Sequence, residues 1–164
     1  MSMERITKAL IPGSFDPPTI GHYDIAKRAA RIFDEVYVVI FTNSSKRGRF
    51  SPEQRLEMLE AAFAGDERIK VGICSELLAD YAVDNGITAL VKGARGAVDF
   101  DYELSLSLIN RSLESELDTV ILPTKAEYMC VSSTMVSELI KYNKPYERYL
   151  PDGVGKIVTK YISN

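Results

Sequence analysis

Pro12-Gly13-Ser14-Phe15-Asp16-Pro17-Pro18-Thr19-Ile20-Gly21-His22 stands between a short apolar segment, Ile6 to Ile11, and a run in which Ile25, Ala26, Ala29, Ile32 and Phe33 recur at helical spacing. The first flank has the character of a buried strand and the second that of an amphipathic helix. The eleven residues between them therefore form a strand-to-helix turn, with Gly13 at the carboxyl end of the strand and His22 in the first turn of the helix. In open α/β sheets, ligands sit at that end of the strands.

Apolar segments continue to alternate with helical ones. Strands are expected near Ile6 to Ile11, Val36 to Phe41, Ile69 to Ile73, Thr88 to Val91 and Thr119 to Leu122. Such alternation predicts a doubly wound, parallel, five-stranded α/β sheet with helices on both faces, because each right-handed crossover needs a helix to cover the sheet. Ser51-Pro52-Glu53-Gln54 supplies an N-cap, a proline at the first helical position and a capping-box glutamine, so a helix should run from there to about Ala64. Its apolar face is expected to be Leu56, Leu59, Ala62 and Phe63. A helix over Glu76 to Asn85, carrying Leu77, Leu78, Tyr81 and Ala82, should end in a left-handed cap at Asn85-Gly86. A longer one, Phe100 to Leu117, should carry Leu104, Leu108, Ile109 and Leu113 on one side, with Tyr102, Glu103 and Asn110 facing elsewhere. Ser132-Ser133-Thr134 should open a helix over Met135 to Tyr142, and Pro151 or Asp152 a last one towards Ile162.

The 164 residues suit one domain, and 46% hydrophobic with 26% charged residues is ordinary for a soluble globular chain. No apolar run is long enough to span a bilayer, and the Met1-Ser2-Met3-Glu4-Arg5 start lacks the apolar region of a signal peptide, so a cytoplasmic location is expected. A net charge of −3 counts against a general nucleic-acid binder. Cys74 and Cys130 form no CxxC pair, which leaves a zinc site without support and makes both structural thiols by expectation.

Four clusters fall where the topology puts strand ends and helix starts. In Pro12 to His22, the glycine permits close approach of a ligand, the prolines stiffen the loop, and the free N–H groups at the helix start favour an anion such as phosphate. Ser44-Ser45-Lys46-Arg47 offers the Lys46 ammonium as a point charge, although Lys-Arg pairs on loops are ordinarily just solvated. Lys92-Gly93-Ala94-Arg95 places two cations around a glycine directly after a strand, which suits an anion or a plain charged turn equally well. Val131-Ser132-Ser133-Thr134 gathers hydroxyls at a helix start, where capping is the commoner use and phosphate binding the other.

These residues carry a resemblance. Thr19-Ile20-Gly21-His22, with the string from Ser14 before it, resembles the T/HxGH motif of the nucleotidyltransferase superfamily, and Val131 to Thr134 resembles its ISSTxxR-like second signature. Lys92-Gly93-Ala94-Arg95 followed by Asp99-Phe100-Asp101-Tyr102-Glu103 is similar to the RGLR and DFEYE segments of the bacterial phosphopantetheine adenylyltransferase family. The likeness extends to Ser45-Lys46, Leu77-Leu78, Asn110-Arg111 and Leu150-Pro151. It implies a Rossmann-like fold and transfer of adenylate from ATP to 4'-phosphopantetheine, giving dephospho-coenzyme A and pyrophosphate. It further implies Mg2+ carried by the ATP phosphates rather than by a protein metal site, a homohexamer, and coenzyme A as a feedback ligand.

Carried over by position, the resemblance makes His22, Lys46 and Ser14 catalytic. It assigns ATP to Ser14, Phe15, His22, Gly93, Ala94, Arg95, Glu103 and the stretch Tyr128, Met129, Cys130, Val131, Ser132, Ser133 and Thr134. The acceptor falls to Ser14, Lys46, Leu78, Lys92, Asn110 and Glu138. Lys92 departs from the family's usual arginine, keeping the charge but losing the bidentate fork. The same chemistry with nicotinamide mononucleotide as acceptor, or with CTP and glycerol phosphate, is the second enzyme reading, and the Asp99 to Glu103 segment argues against it. A nucleotide-binding regulator without catalysis is the third.

Overall fold

The first strand, β1 (Lys8–Gly13), buries Ala9 and Leu10 completely, and these two point to opposite faces of one sheet. Burial on both faces is what a central parallel strand requires, and a computed structural model, which describes residues 6–42 and 47–163, places it at the centre. The remaining elements follow as α1 (Ile20–Ala29), β2 (Glu35–Phe41), α2 (Pro52–Ala62), β3 (Ile69–Cys74), α3 (Leu78–Asp84), β4 (Ala89–Ala94), α4 (Ala97–Leu113) and β5 (Asp118–Pro123). After a 3₁₀ turn at Ala126–Tyr128 come α5 (Ser133–Lys141), a second 3₁₀ turn at Glu147–Tyr149 and α6 (Val154–Ile162). The five strands pair in the order β3-β2-β1-β4-β5, all parallel, which is the Rossmann-like arrangement expected from the alternation.

The strand order reverses between β1 and β4, and the sheet splits there. β1 pairs with β2 along its whole length, Lys8 to Gly13, but with β4 only at Ala9↔Ala89 and Leu10↔Leu90. Beyond that register the two strands part, and Ile11, Pro12 and Gly13 on one side face Val91, Lys92 and Gly93 on the other across an open cleft. Divergence at the switch point is thus what makes room for a ligand.

Side-chain alternation divides the core. Ala9, Ile11, Val36, Val38, Ile40 and Val91 pack with Ile25, Ala26 and Ala29 of α1 and Leu59 of α2 on one face. On the other, Leu10, Val39 and Leu90 meet Cys74, Ala82, Ile87 and Leu117. A third cluster lies off the sheet, where Met58 of α2 packs with Val136 and Ile140 of α5 and Val154 and Val158 of α6. α2 consequently has two apolar faces. Leu56, Leu59, Ala62 and Phe63 pack toward the sheet as expected, while the Met58 side receives the C-terminal helices.

Three helical expectations are corrected. α3 begins at Leu78 rather than Glu76, leaving Leu77 exposed at the cap; Gly86 nonetheless adopts the expected left-handed conformation, φ +64°. α4 spans Ala97–Leu113 rather than Phe100 to Leu117, and Leu117 instead enters the core ahead of β5. None of the 17 residues of α4 is buried, so the expected apolar side, Leu104, Leu108, Ile109 and Leu113, faces outward from the chain. α6 opens at Val154, after Gly153 turns the backbone at φ +84°, rather than at Pro151 or Asp152.

Candidate active site

The cleft between the parted ends of β1 and β4 encloses about 300 Å³ and is completed by the starts of α1, α4 and α5. Phe15, His22, Lys92, Gly93, Arg95, Glu103, Tyr128, Val131, Ser132 and Ser133 line it together. Residues from four separated stretches of the sequence thus reach one cavity.

His22 is fixed by the helix it helps to begin. Thr19 is the N-cap of α1 and His22 its third residue, and the two form a reciprocal capping box. The Thr19 backbone N–H donates to His22 Nδ1 at 3.0 Å, and the Thr19 hydroxyl lies 3.1 Å from the same nitrogen. A backbone amide can only donate, so Nδ1 must present its lone pair and the ring proton resides on Nε2. Burial, and after it the Arg95 guanidinium, lower the imidazole from 6.5 to about 4. At neutral pH the cleft therefore holds an uncharged imidazole, with an Nε2–H donor that has no partner among the described residues.

The ring's orientation is secured from the other side by Phe15, edge to face at 5.1 Å between centroids and 74° between planes. Phe15 is 2% exposed and holds a left-handed backbone, φ +47°, that few aromatic residues adopt. Gly13 leaves room beneath it, because a Cβ there would lie 3.0 Å from the Phe15 ring and press on it.

The cations at the end of β4 are paired. Lys92 Nζ lies 3.3 Å from Glu103 on α4, and Arg95 meets Asp99 through both its backbone N–H, at 3.1 Å, and its Nε, at 3.0 Å. The bond from the Arg95 amide, and the guanidinium after it, hold the Asp99 carboxyl below its usual range. Across the cleft, Ser132 caps α5 by accepting from the Met135 N–H at 3.1 Å, while Ser133 donates its hydroxyl to the Pro17 carbonyl at 2.7 Å. Ser132 thus serves as the cap, whereas Ser133 ties α5 to the turn before α1. Their positions leave α5's amino end toward the cleft, where its N–H groups and dipole favour an anion.

Other expected residues lie elsewhere. Ser14 is exposed in a second groove behind the turn, with Asp16, Thr42, Arg47, Phe50 and Arg55. Leu78 packs against the Leu10 and Leu90 cluster, Asn110 is half-buried on α4, and exposed Glu138 lies 3.9 Å from Lys141 on α5. Met129, Cys130 and Thr134 are exposed and Ala94 half-buried, all beside rather than in the cleft lining. Lys46, with Ser44 and Ser45, lies outside the described residues. Thr19, from the T/HxGH-like string, and Thr124, which carries no local sequence signal, also line the cleft.

A cytidylyltransferase-like family model matches residues 10–139, from within β1 into α5 and so across the elements around the cleft. A phosphopantetheine adenylyltransferase of Leptospira biflexa is 39% identical over 155 residues, covering 94% of this chain and 97% of the relative. Relatives of the same name from Symbiobacterium thermophilum, 43% identical over 144 residues (88% of this chain, 89% of the relative), and Staphylococcus carnosus, 37% over 150 (92% and 93%), agree in extent. With its switch-point cleft, its capped histidine and this likeness along nearly its whole length, the chain belongs to the phosphopantetheine adenylyltransferase family, within the cytidylyltransferase-like group.

Proposed function

We propose that the chain transfers adenylate from ATP to the phosphate of 4'-phosphopantetheine, releasing pyrophosphate and dephospho-coenzyme A. The observation that carries the reading is the neutral His22, its Nδ1 engaged by the Thr19 amide and its Nε2–H left for the cleft. An oxygen of the acceptor phosphate forms the new bond to the α-phosphorus as the bond to pyrophosphate breaks. That nucleophile is already anionic and needs no general base. The protein's tasks are alignment and stabilisation of the charge that spreads over the α-phosphate.

In this reading His22 donates Nε2–H to an oxygen on the α-phosphorus, and Arg95 with the N–H groups around Gly93 and at the start of α5 binds the triphosphate. Glu103 and the stretch Tyr128 to Thr134 hold the nucleoside. Lys92, Lys46 and Ser14 take the acceptor phosphate, with Leu78, Asn110 and Glu138 along the pantetheine arm. Coenzyme A, which shares that arm, would compete for it. Mg2+ would neutralise part of the triphosphate charge. It would arrive carried by the nucleotide's phosphates. No helix among the described residues is long and apolar enough to cross a membrane, and we place the protein in the cytoplasm, where cell fractionation should find it.

Mixing the protein with ATP, Mg2+ and 4'-phosphopantetheine should yield dephospho-coenzyme A by mass together with pyrophosphate. Release of pyrophosphate only with a different acceptor, or ATP bound and never consumed, would overturn the assignment. We also propose a homohexamer. The unburied α4, with Val98 84% and Leu108 64% exposed, supports assembly through that helix. Analytical ultracentrifugation should give six times the 18.3 kDa chain mass, and a monomer at micromolar concentration would refute it.

A further inference from the structure

Behind the cleft, the turn from Ser14 to Pro17 is gripped by side chains of two helices. Arg55 of α2 donates through Nη1 to the Ser14 carbonyl at 2.7 Å and through Nε to the Ser51 carbonyl at 3.3 Å. Ser137 of α5 donates to the Asp16 carbonyl at 3.4 Å, and Ser133 to the Pro17 carbonyl at 2.7 Å. The Asp16 carboxylate in turn accepts the N–H groups of Arg49 and Phe50, at 2.7 and 3.0 Å. Three of the four carbonyls in the turn are thus drawn to side chains. A strained conformation such as that of Phe15 persists only where its surroundings over-determine it.

Arg55 is the unusual member of this set. Its side chain is buried, with the residue 8% exposed, and it forms no salt bridge among the described residues, although its charge is felt through space by Glu53. A buried guanidinium satisfied by backbone carbonyls is costly to keep unless its charge has a use. We propose that Arg55 is a positioning residue for the adenylate transfer, holding the Ser14 carbonyl away from the cleft and thereby fixing the left-handed Phe15 turn on which the His22 ring rests. By withdrawing electron density from the Ser14 carbonyl, it also makes the following Phe15 N–H a better donor to an anion. The inference rests on the function proposed above.

The test uses the full chain with Arg55→Met and Arg55→Lys, and two readouts below the melting temperature. A small displacement of a reacting group can cost about 10²-fold in rate. Arg55→Met should therefore lower kcat on the order of 10- to 100-fold while the KM for ATP changes less than about threefold, and Arg55→Lys should recover part of the loss. His22 is the only histidine, so a single imidazole resonance reports it. Its titration midpoint should rise from about 4 toward 6.5 in Arg55→Met as Phe15 is released. Unchanged kcat and an unchanged titration in Arg55→Met, with an active wild type, would overturn the proposal. Should Arg55→Met not fold, Arg55→Gln is read in the same way. A wild type that makes no dephospho-coenzyme A would sink the functional reading instead, leaving the resonance to decide the role of Arg55.

Discussion

His22→Ala is expected to lower kcat by about 10² to 10³, equivalent to about 2.7–4 kcal/mol of transition-state stabilisation, with little change in the KM for ATP. The split follows from the ring's surroundings. Its Nδ1 is committed to the Thr19 amide, and burial together with Arg95 keeps it uncharged, so it adds no positive charge that would bind ground-state triphosphate. What it offers is one oriented donor, whose value rises only as charge builds on the α-phosphate. Alanine also removes half of the α1 capping box, so His22→Gln serves as the companion variant: glutamine at this position completes a capping box, as Gln54 does for Ser51 in α2. If His22→Ala weakens ATP binding as much as turnover, the imidazole serves the ground state and the charge-stabilising role fails.

The fold was legible because its signals are local. Alternating apolar segments revealed five strands, and Ser51 with Gln54 fixed the start of α2 to the residue. The cleft was legible to the extent that its residues flank strand ends, since parallel topology brings all carboxyl ends to one edge. What sequence could not supply was long-range. Met58 has the same spacing as any other apolar helical residue, and nothing near it announces that α5 and α6 will pack on its side of α2. Leu104, Leu108, Ile109 and Leu113 have the period of a buried face, but periodicity records that a face is apolar and not whether its cover comes from the same chain. Likewise the serines of α5 read as caps or phosphate ligands, and only the approach of Pro17, 116 residues away in sequence, commits Ser133 to the turn. Arg55 went unnoticed for the same reason, because its partner lies 41 residues earlier.

Acid should expose the cost of keeping His22 neutral. In the folded chain its pKa is lowered to about 4 from the ordinary 6.5, so the unfolded chain binds the proton first as pH falls. Stability therefore rises with pH between about 4 and 6.5. Above 6.5 both states are neutral and the contribution vanishes; by pH 4 it amounts to a loss on the order of 3 kcal/mol. Several carboxyls have lowered values of their own, among them Asp66 through its bond from Lys27 and Asp99 through the Arg95 amide, and protonating these also weakens the fold in acid. Comparing wild type with His22→Gln at each pH separates the two sources, because the carboxyls are common to both proteins. Urea unfolding at pH 7, 6, 5 and 4 should show the wild type losing on the order of 3 kcal/mol more than the variant, with most of the difference appearing below pH 6. Parallel curves for the two proteins would mean that the folded imidazole titrates near 6.5, so that neither burial nor Arg95 holds it down, and the ring would then carry a substantial charged fraction just below neutrality.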